Sequence, residues 1–179
     1  GFAGAERRMS ALLTFEQIRV EQTEHWDAFV ALMREYASSD LNNPGLSSIH
    51  GDMLHPQERY SGANGQAWLI LYAAQWVGCG AFTTTRETGL AELKRLYVRP
   101  PFRGLNASRQ LTLHLIKQAR AAGFTRMGLS TWRSNTVALA LYERMGFTAI
   151  PAFKNHPDPD LVYLGMNLTA LDAVTTHTP

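Results

Sequence analysis

The chain has 179 residues, of which 45% are hydrophobic and 18% charged, and its formal net charge is +2. This is the composition of a globular protein, and the charge is too small to indicate binding to nucleic acid or to a membrane surface. The single cysteine, Cys79, excludes an internal disulfide framework and a cysteine-rich zinc site. No apolar run approaches the roughly 18 residues of a membrane span and no secretory signal is visible, so we expect a cytoplasmic protein.

The first half of the chain reads as one helix, a loop region and a pair of strands. Trp26, Phe29 and Met33 recur at helical spacing, and Pro56 interrupts a second, shorter helical stretch. Two apolar runs with a very short link indicate an antiparallel hairpin. The predicted elements are an edge strand over residues 15–20, a helix over 23–39, a loop over 40–48, a short helix over 50–60 and strands over 67–73 and 75–84.

The second half alternates strands and helices. A strand, a crossover helix and a further strand normally place the two strands parallel. The predicted elements are strands over residues 91–98 and 126–131 around a helix over 105–122, then a helix over 135–145 and a closing strand over 161–168. We expect one α/β domain over residues 9–179, with a mixed central sheet and helices on both faces. Residues 1–8 are interpreted as an expression-tag remnant or a disordered arm.

The segment RLYVRPPFRGLNASR, residues 95–109, joins a strand to the start of a helix. The prolines end the strand, and a small-residue loop then opens the helix. Free backbone N–H groups at a helix N-terminus bind anions, and phosphate is the usual ligand. Arg99, Arg103 and Arg109 add cationic side chains. The alternative is an ordinary strand-to-helix connection.

The segment NTVALALYERMGF, residues 135–147, predicts a capped helix that Gly146 terminates. Its pattern, Asn-x-x-Ala-x-x-Leu-Tyr followed by Gly-Phe, resembles the second CoA-binding helix of the GNAT superfamily of N-acetyltransferases. The preceding loop resembles the Arg-Gly-x-Gly-x-Gly/Ala motif of that family, although Asn106 and Ser108 depart from it. Both motifs occur in the right order, so the chain is identified as a member of the superfamily.

The resemblance implies acetyl transfer from acetyl-CoA, as co-substrate, to a primary amine by direct attack in a ternary complex. It implies an amine acceptor that is a small molecule or a peptide, and a homodimer as a common assembly. The six histidines do not cluster at metal-ligand spacing, so no metal is expected. No nucleic-acid or membrane partner is expected. The residues that it assigns to CoA are Leu96, Tyr97, Val98, Arg103, Gly104, Leu105, Asn106, Ala107, Ser108, Arg109, Asn135 and Tyr142.

Two residues are candidates for proton transfer. Tyr142 corresponds to the family tyrosine that protonates the leaving thiolate, and Glu92 corresponds to a strand glutamate that deprotonates the amine in several members. The alternative for Tyr142 is a tyrosine at the edge of the core, whose ring packs and whose hydroxyl bonds to the backbone. The alternative for Glu92 is an ion pair with Lys94 or Arg95, with a water chain acting as the base.

Two other functions stay open at this point. Asn106 and Ser108 place a Cβ where the family has small residues, so a CoA-binding or regulatory module with little catalysis is one alternative. A nucleotide-binding α/β domain is the other, and the motif over residues 135–147 disfavours it. The acceptor-binding residues are not identified by any motif.

Overall fold

A computed structural model of the protein describes residues 2–4, 12–39 and 48–169. Seven strands of these residues form a mixed sheet with the order β1-β2-β3-β4-β5-β7-β6. The strands are β1 (Thr14–Gln17), β2 (Gly65–Tyr72), β3 (Gln75–Thr84), β4 (Leu90–Val98), β5 (Arg126–Trp132), β6 (Thr148–Ala149) and β7 (Leu161–Asn167). The helices that follow β1 are α1 (Thr23–Ser39), α2 (Ile49–Leu54), α3 (Pro56–Arg59), α4 (Ala107–Ala121) and α5 (Thr136–Arg144).

The chain divides into two compact units, each made of two segments. The first unit comprises residues 1–83 and 94–115, and the second comprises residues 84–93 and 116–179. Strand β4 contributes its first residues to the second unit and its last residues to the first unit.

The first unit contains an antiparallel arrangement of β1, β2 and β3. Residues 14–17 of β1 pair with residues 68–71 of β2, and β2 forms a hairpin with β3. The two hairpin residues, Ala73 and Ala74, both have positive φ values of 48° and 63°, as a type I′ turn requires. The helix α1 contributes its apolar stripe to a buried cluster with the strands and with α2. Members of this cluster include Trp26, Phe29, Leu32, Met33, Ile49, Tyr60, Leu69, Cys79 and Tyr97.

The second unit is built around β5. Residues 90–92 of β4 run parallel to residues 126–128 of β5, and β5 pairs antiparallel with β7 along its whole length. At Gly128, a Cβ would lie 2.8 Å from the Phe153 ring, so this strand position needs glycine for the ring to pack on it. The parallel pairing of β4 and β5 confirms the crossover prediction.

The mixed α/β sheet with flanking helices is confirmed, with shifts at several boundaries. Helix α4 begins at Ala107 rather than at residue 105, because Asn106 has a left-handed backbone with φ of 57°. The short helix predicted over 50–60 is two helices that meet before Pro56. The loop predicted over 40–48 lies outside the described residues except for Ser48, as does the tail after residue 169 and most of residues 1–8. The single domain over 9–179 stays a prediction.

Candidate functional site

Strand β4 carries a left-handed residue in its middle. Arg95 has φ of 59°, a conformation that costs an L-residue roughly 1–2 kcal/mol. Such a residue bends a strand, as a bulge does. The parallel ladder between β4 and β5 ends at Glu92 and Gly128, before this point. The pairing of β4 with β5 therefore stops before the left-handed residue.

The side chain of Arg95 is almost fully buried, at 7% exposure, against Asp52, whose side chain is 3% exposed. The guanidinium donates from Nε and Nη2 to Asp52 Oδ2, at 2.7 Å in each case, and from Nη2 to Ser48 Oγ at 2.7 Å. The hydroxyl of Tyr60 donates to the same carboxylate oxygen. Burial opposes the charge of Arg95, but Tyr60 and Asp52 together raise its pKa, so the guanidinium stays charged.

The backbone after Arg95 is held by the loop that follows the strand. Tyr97 and Val98 are buried, and the Val98 carbonyl accepts a hydrogen bond from Arg103 Nε at 2.8 Å. The same guanidinium lies over the Tyr97 ring, 5.6 Å from its centroid. Arg103 thus contacts the end of β4. This contact was not expected from the sequence, which suggested only a phosphate ligand.

The side chain of Arg99 also contacts other residues of the protein. Its guanidinium forms an ion pair with Glu35 at 2.8 Å and donates to the Trp76 carbonyl at 3.0 Å. The hydrogen bond to Glu35 raises the pKa of Arg99, with burial acting in the opposite direction. The sequence suggested Arg99 as a cation for phosphate, whereas the structure gives it a role between α1, β3 and the end of β4.

The loop before α4 has the backbone shape of an anion-binding loop. Gly104 and Asn106 are both left-handed, with φ of 91° and 57°, while Leu105 and Ala107 between and after them are buried. The Asn106 carbonyl accepts the first helical hydrogen bond, from the Gln110 amide at 2.9 Å. The amides at the start of α4 therefore have no acceptor within the helix and suit a negatively charged group.

Ser108 and Arg109 lie in the first turn of α4. The Ser108 carbonyl accepts a hydrogen bond from the Thr112 hydroxyl at 2.7 Å, and Arg109 is exposed. The loop residues from Arg103 to Arg109, with Leu96, Tyr97 and Val98, all belong to the first unit. The structure therefore brings ten of the twelve residues assigned to CoA into one unit.

Glu92 belongs to the second unit and is paired there with a lysine. Its carboxylate is buried, at 4% exposure, and accepts a hydrogen bond from Lys154 Nζ at 2.6 Å. Of the partners considered from sequence, Lys94 donates to Ser48 and Arg95 donates to Asp52. The structure gives Glu92 a partner, Lys154, that was not considered from the sequence. No motif or spacing indicates Lys154, which lies 62 residues away from Glu92.

The pKa of Tyr163 is affected by the charge of Glu92. Its hydroxyl donates to the Lys154 carbonyl at 3.3 Å, and its ring packs edge-on against Phe153. Burial, reinforced by the negative charge of Glu92, raises the pKa of Tyr163. The tyrosine is therefore protonated at neutral pH, and the segment with Lys154 is anchored to β7.

Tyr142 lies on α5 in the second unit, and Asn135 directly precedes this helix. The Asn135 side chain caps the helix by accepting from the Ala138 amide at 3.2 Å, as predicted. Tyr142 is half-buried, and its ring packs edge-on against Phe147 with the centroids 5.6 Å apart. Gly146, with φ of 101°, ends the helix and turns the chain toward Phe147. This packing orients the tyrosine ring and is compatible with both roles considered for it.

Two further features are absent from the residues that the structure describes. No group of three or more His, Cys, Asp or Glu side chains among them is arranged to hold a metal ion. None of the described helices is long and apolar enough to cross a membrane.

The comparisons with known proteins agree with this architecture. Residues 26–147 match the model of the acetyltransferase (GNAT) family. A Schizosaccharomyces pombe protein that bears the name of an N-acetyltransferase is 27% identical over 154 residues, covering 84% of this chain and 93% of its own. The chain therefore belongs to the GNAT family and is an acyltransferase.

Solved structures show the same fold. A Klebsiella pneumoniae structure described as an acyl-CoA N-acyltransferase has a TM-score of 0.63 and 29% identity, covering 88% of this chain and 99% of that one. The PaiA N-acetyltransferase of Thermoplasma acidophilum, solved in complex with coenzyme A, has a TM-score of 0.64 at 16% identity, covering 87% of this chain and 98% of that one.

Proposed function

We propose that this protein transfers the acetyl group of acetyl-CoA to a primary amine of a small molecule or a peptide, by direct attack in a ternary complex. The observation that carries the proposal is the loop before α4, where left-handed Gly104 and Asn106 precede a helix start. Its amides suit the pyrophosphate of CoA. The fold is shared with a solved structure that contains coenzyme A, which supports the same co-substrate.

The chemistry makes three demands on the chain. The amine needs to lose a proton, because an alkylammonium with a pKa near ~10.4 has no lone pair for attack. As nitrogen bonds to the acetyl carbonyl carbon, the oxygen gains charge that N–H donors stabilise. The carbon–sulfur bond then breaks, and the thiolate takes a proton. We propose that Glu92 accepts the proton of the amine and that Tyr142 donates a proton to the thiolate. The backbone N–H groups of residues 96–98 are the proposed donors to the carbonyl oxygen.

Glu92 is paired with Lys154 at 2.6 Å, which bears on its role as a base. In the proposed reaction the acceptor amine shares or replaces this lysine at the carboxylate. The pair also favours the second candidate function, a CoA-binding module with little catalysis, because a base that stays bound to Lys154 accepts a proton poorly. The cytoplasmic location and the homodimer stay predictions.

Acetyl-CoA is expected to raise the melting temperature of the protein. A ligand at a hundred times its dissociation constant stabilises the native state by ~2.7 kcal/mol, which corresponds to a shift of about 5–10 °C for a chain of this size. Differential scanning fluorimetry with acetyl-CoA, ATP and NAD at equal concentrations checks this. A larger shift with ATP than with acetyl-CoA contradicts the proposed co-substrate.

Asn106→Gly is expected to keep or tighten acetyl-CoA binding. The residue is left-handed and exposed, and glycine adopts this conformation without the strain of a Cβ. Calorimetric titration with acetyl-CoA measures the change, and Asn106→Ala is the matched control, because alanine disfavours positive φ and should bind more weakly. Weaker binding by the glycine variant shows instead that the Asn106 side chain contacts the cofactor.

A further inference from the structure

We propose that Asp52 is a positioning residue, which acts through Arg95 to set the backbone of residues 96–98 for acyl-CoA binding. The inference rests on the proposed function, because this backbone is the segment assigned to the acetyl group and the pantetheine arm. It is carried by the left-handed conformation of Arg95 and by the buried contacts of its side chain, all within the first unit.

The backbone at Arg95 needs an external restraint. A long side chain in a strand prefers extended backbone angles, yet Arg95 has φ of 59° inside β4. The Arg95 carbonyl accepts a hydrogen bond from the Cys79 thiol at 3.2 Å. Burial raises the pKa of Cys79 to about 12, so the thiol keeps its proton and donates. This bond fixes the peptide that leads into Leu96.

The neighbouring strand also constrains the following peptides. A Cβ at Gly78 would lie 2.7 Å from the Tyr97 carbonyl oxygen, a separation that real Cβ atoms essentially never show. The strand β3 therefore approaches the β4 backbone closely just after the bend. Residues 96–98 have little freedom to shift once Arg95 is in place.

The carboxylate of Asp52 supplies the restraint on the side chain. Both Nε and Nη2 of Arg95 donate to its Oδ2 at 2.7 Å, and Tyr60 donates to the same oxygen. Burial, reinforced by Asp52, raises the pKa of Tyr60, so this hydroxyl remains a donor. The guanidinium is thereby fixed in position and orientation, and with it the Cα of the left-handed residue.

Stability alone is a weak explanation for this buried pair. Buried ion pairs often add no net stability over apolar side chains of similar size, because both charges lose their hydration. What two charged hydrogen bonds from one guanidinium to one carboxylate oxygen do provide is a defined geometry. We therefore infer that the ion pair between Arg95 and Asp52 holds the backbone conformation of β4.

The first test compares two changes around the same carboxylate. Asp52→Asn removes the charge that orients Arg95, whereas Arg59→Gln removes a more distant, half-exposed partner, whose Nη1 lies 3.7 Å from Asp52 Oδ1. We expect Asp52→Asn to raise the dissociation constant of acetyl-CoA by about tenfold, as for a lost charged hydrogen bond. The control should change it by no more than about twofold, because the Arg59 side chain is 46% exposed and contacts Asp52 only at 3.7 Å.

A second pair of variants removes both buried charges. It separates the effect of the backbone geometry at residue 95 on acetyl-CoA affinity from the effect of protein stability. Asp52→Asn combined with Arg95→Gly keeps a residue that adopts positive φ, and Asp52→Asn combined with Arg95→Ala does not. We expect the glycine variant to bind acetyl-CoA several-fold more tightly than the alanine variant. Calorimetry on protein that circular dichroism shows to be folded gives both affinities.

Two results overturn the inference. One is a folded Asp52→Asn protein that binds acetyl-CoA as tightly as wild type. The other is equal affinity in the glycine and alanine double variants, which would mean that the Arg95 conformation does not matter. If wild type itself binds no acetyl-CoA, the proposed function fails. If wild type binds acetyl-CoA and either of the two results above is found, only the inference about Asp52 fails.

Discussion

Replacing Tyr142 with phenylalanine is expected to lower kcat by about 10²-fold, the usual effect of losing a general acid when proton transfer limits the rate. The ring packs edge-on against Phe147, and phenylalanine keeps this contact. The dissociation constant of acetyl-CoA and the melting temperature should therefore change little. Steady-state kinetics with a good acceptor, together with a calorimetric titration, measures both quantities.

A matched control for this change is Tyr72→Phe. Tyr72 is also half-buried, and its ring packs against Phe102 with the centroids 5.6 Å apart, but it has no place in the proposed mechanism. It should retain wild-type kcat. If Tyr142→Phe turns over as fast as wild type, Tyr142 is only a tyrosine at the edge of the core.

Glu92→Gln is expected to slow acetyl transfer most strongly at neutral pH. At that pH nearly all of an alkylamine with a pKa near ~10.4 is protonated, so a base has to remove its proton. As the pH rises, more of the amine is already neutral and the variant should approach the wild-type rate. We expect a loss of about 10²-fold near pH 7 that shrinks steadily toward pH 10. The pH profile of kcat/KM gives this result.

Glu87→Gln provides the control for the loss of an ion-paired glutamate. Glu87 pairs with Arg126 at 3.0 Å in the same unit but lies outside the proposed mechanism. Its pH profile should match that of wild type. A defect in Glu92→Gln that is the same at every pH would show that the pair with Lys154 is structural and that another group is the base.

The parts of the fold that sequence predicted well are those with local signals. Helix α1 buries Trp26, Phe29 and Met33, which recur at helical spacing in the sequence, and the end of α5 has a glycine where the left-handed conformation is needed. In contrast, the hairpin at Ala73 and Ala74 uses two left-handed alanines. Alanine carries no such preference, so only the short spacing of the two strands indicated the turn.

The candidate site residues that lie close together in the sequence could be predicted, whereas the contacts between residues far apart in the sequence could not. Contiguous motifs in the sequence indicate residues 103–109 and Asn135 as candidates. The contacts of Glu92 with Lys154 and of Arg95 with Asp52 join positions 62 and 43 residues apart. A single sequence contains no record of such pairs, since each member is an ordinary charged residue in its own segment. The left-handed backbone of Arg95 was likewise hidden, because arginine does not favour it.

The central claim is that the chain moves an acetyl group from acetyl-CoA to an amine. An acceptor screen over amino acids, polyamines, aminoglycosides and peptides tests it most directly, with free thiol and acetylated product measured in the same reactions. We predict that one acceptor class releases thiol and gains acetyl groups in equal amounts, and that Tyr142→Phe suppresses both. Tight binding of acetyl-CoA with no acetylated product from any primary amine would contradict the claim and leave the CoA-binding module as the function.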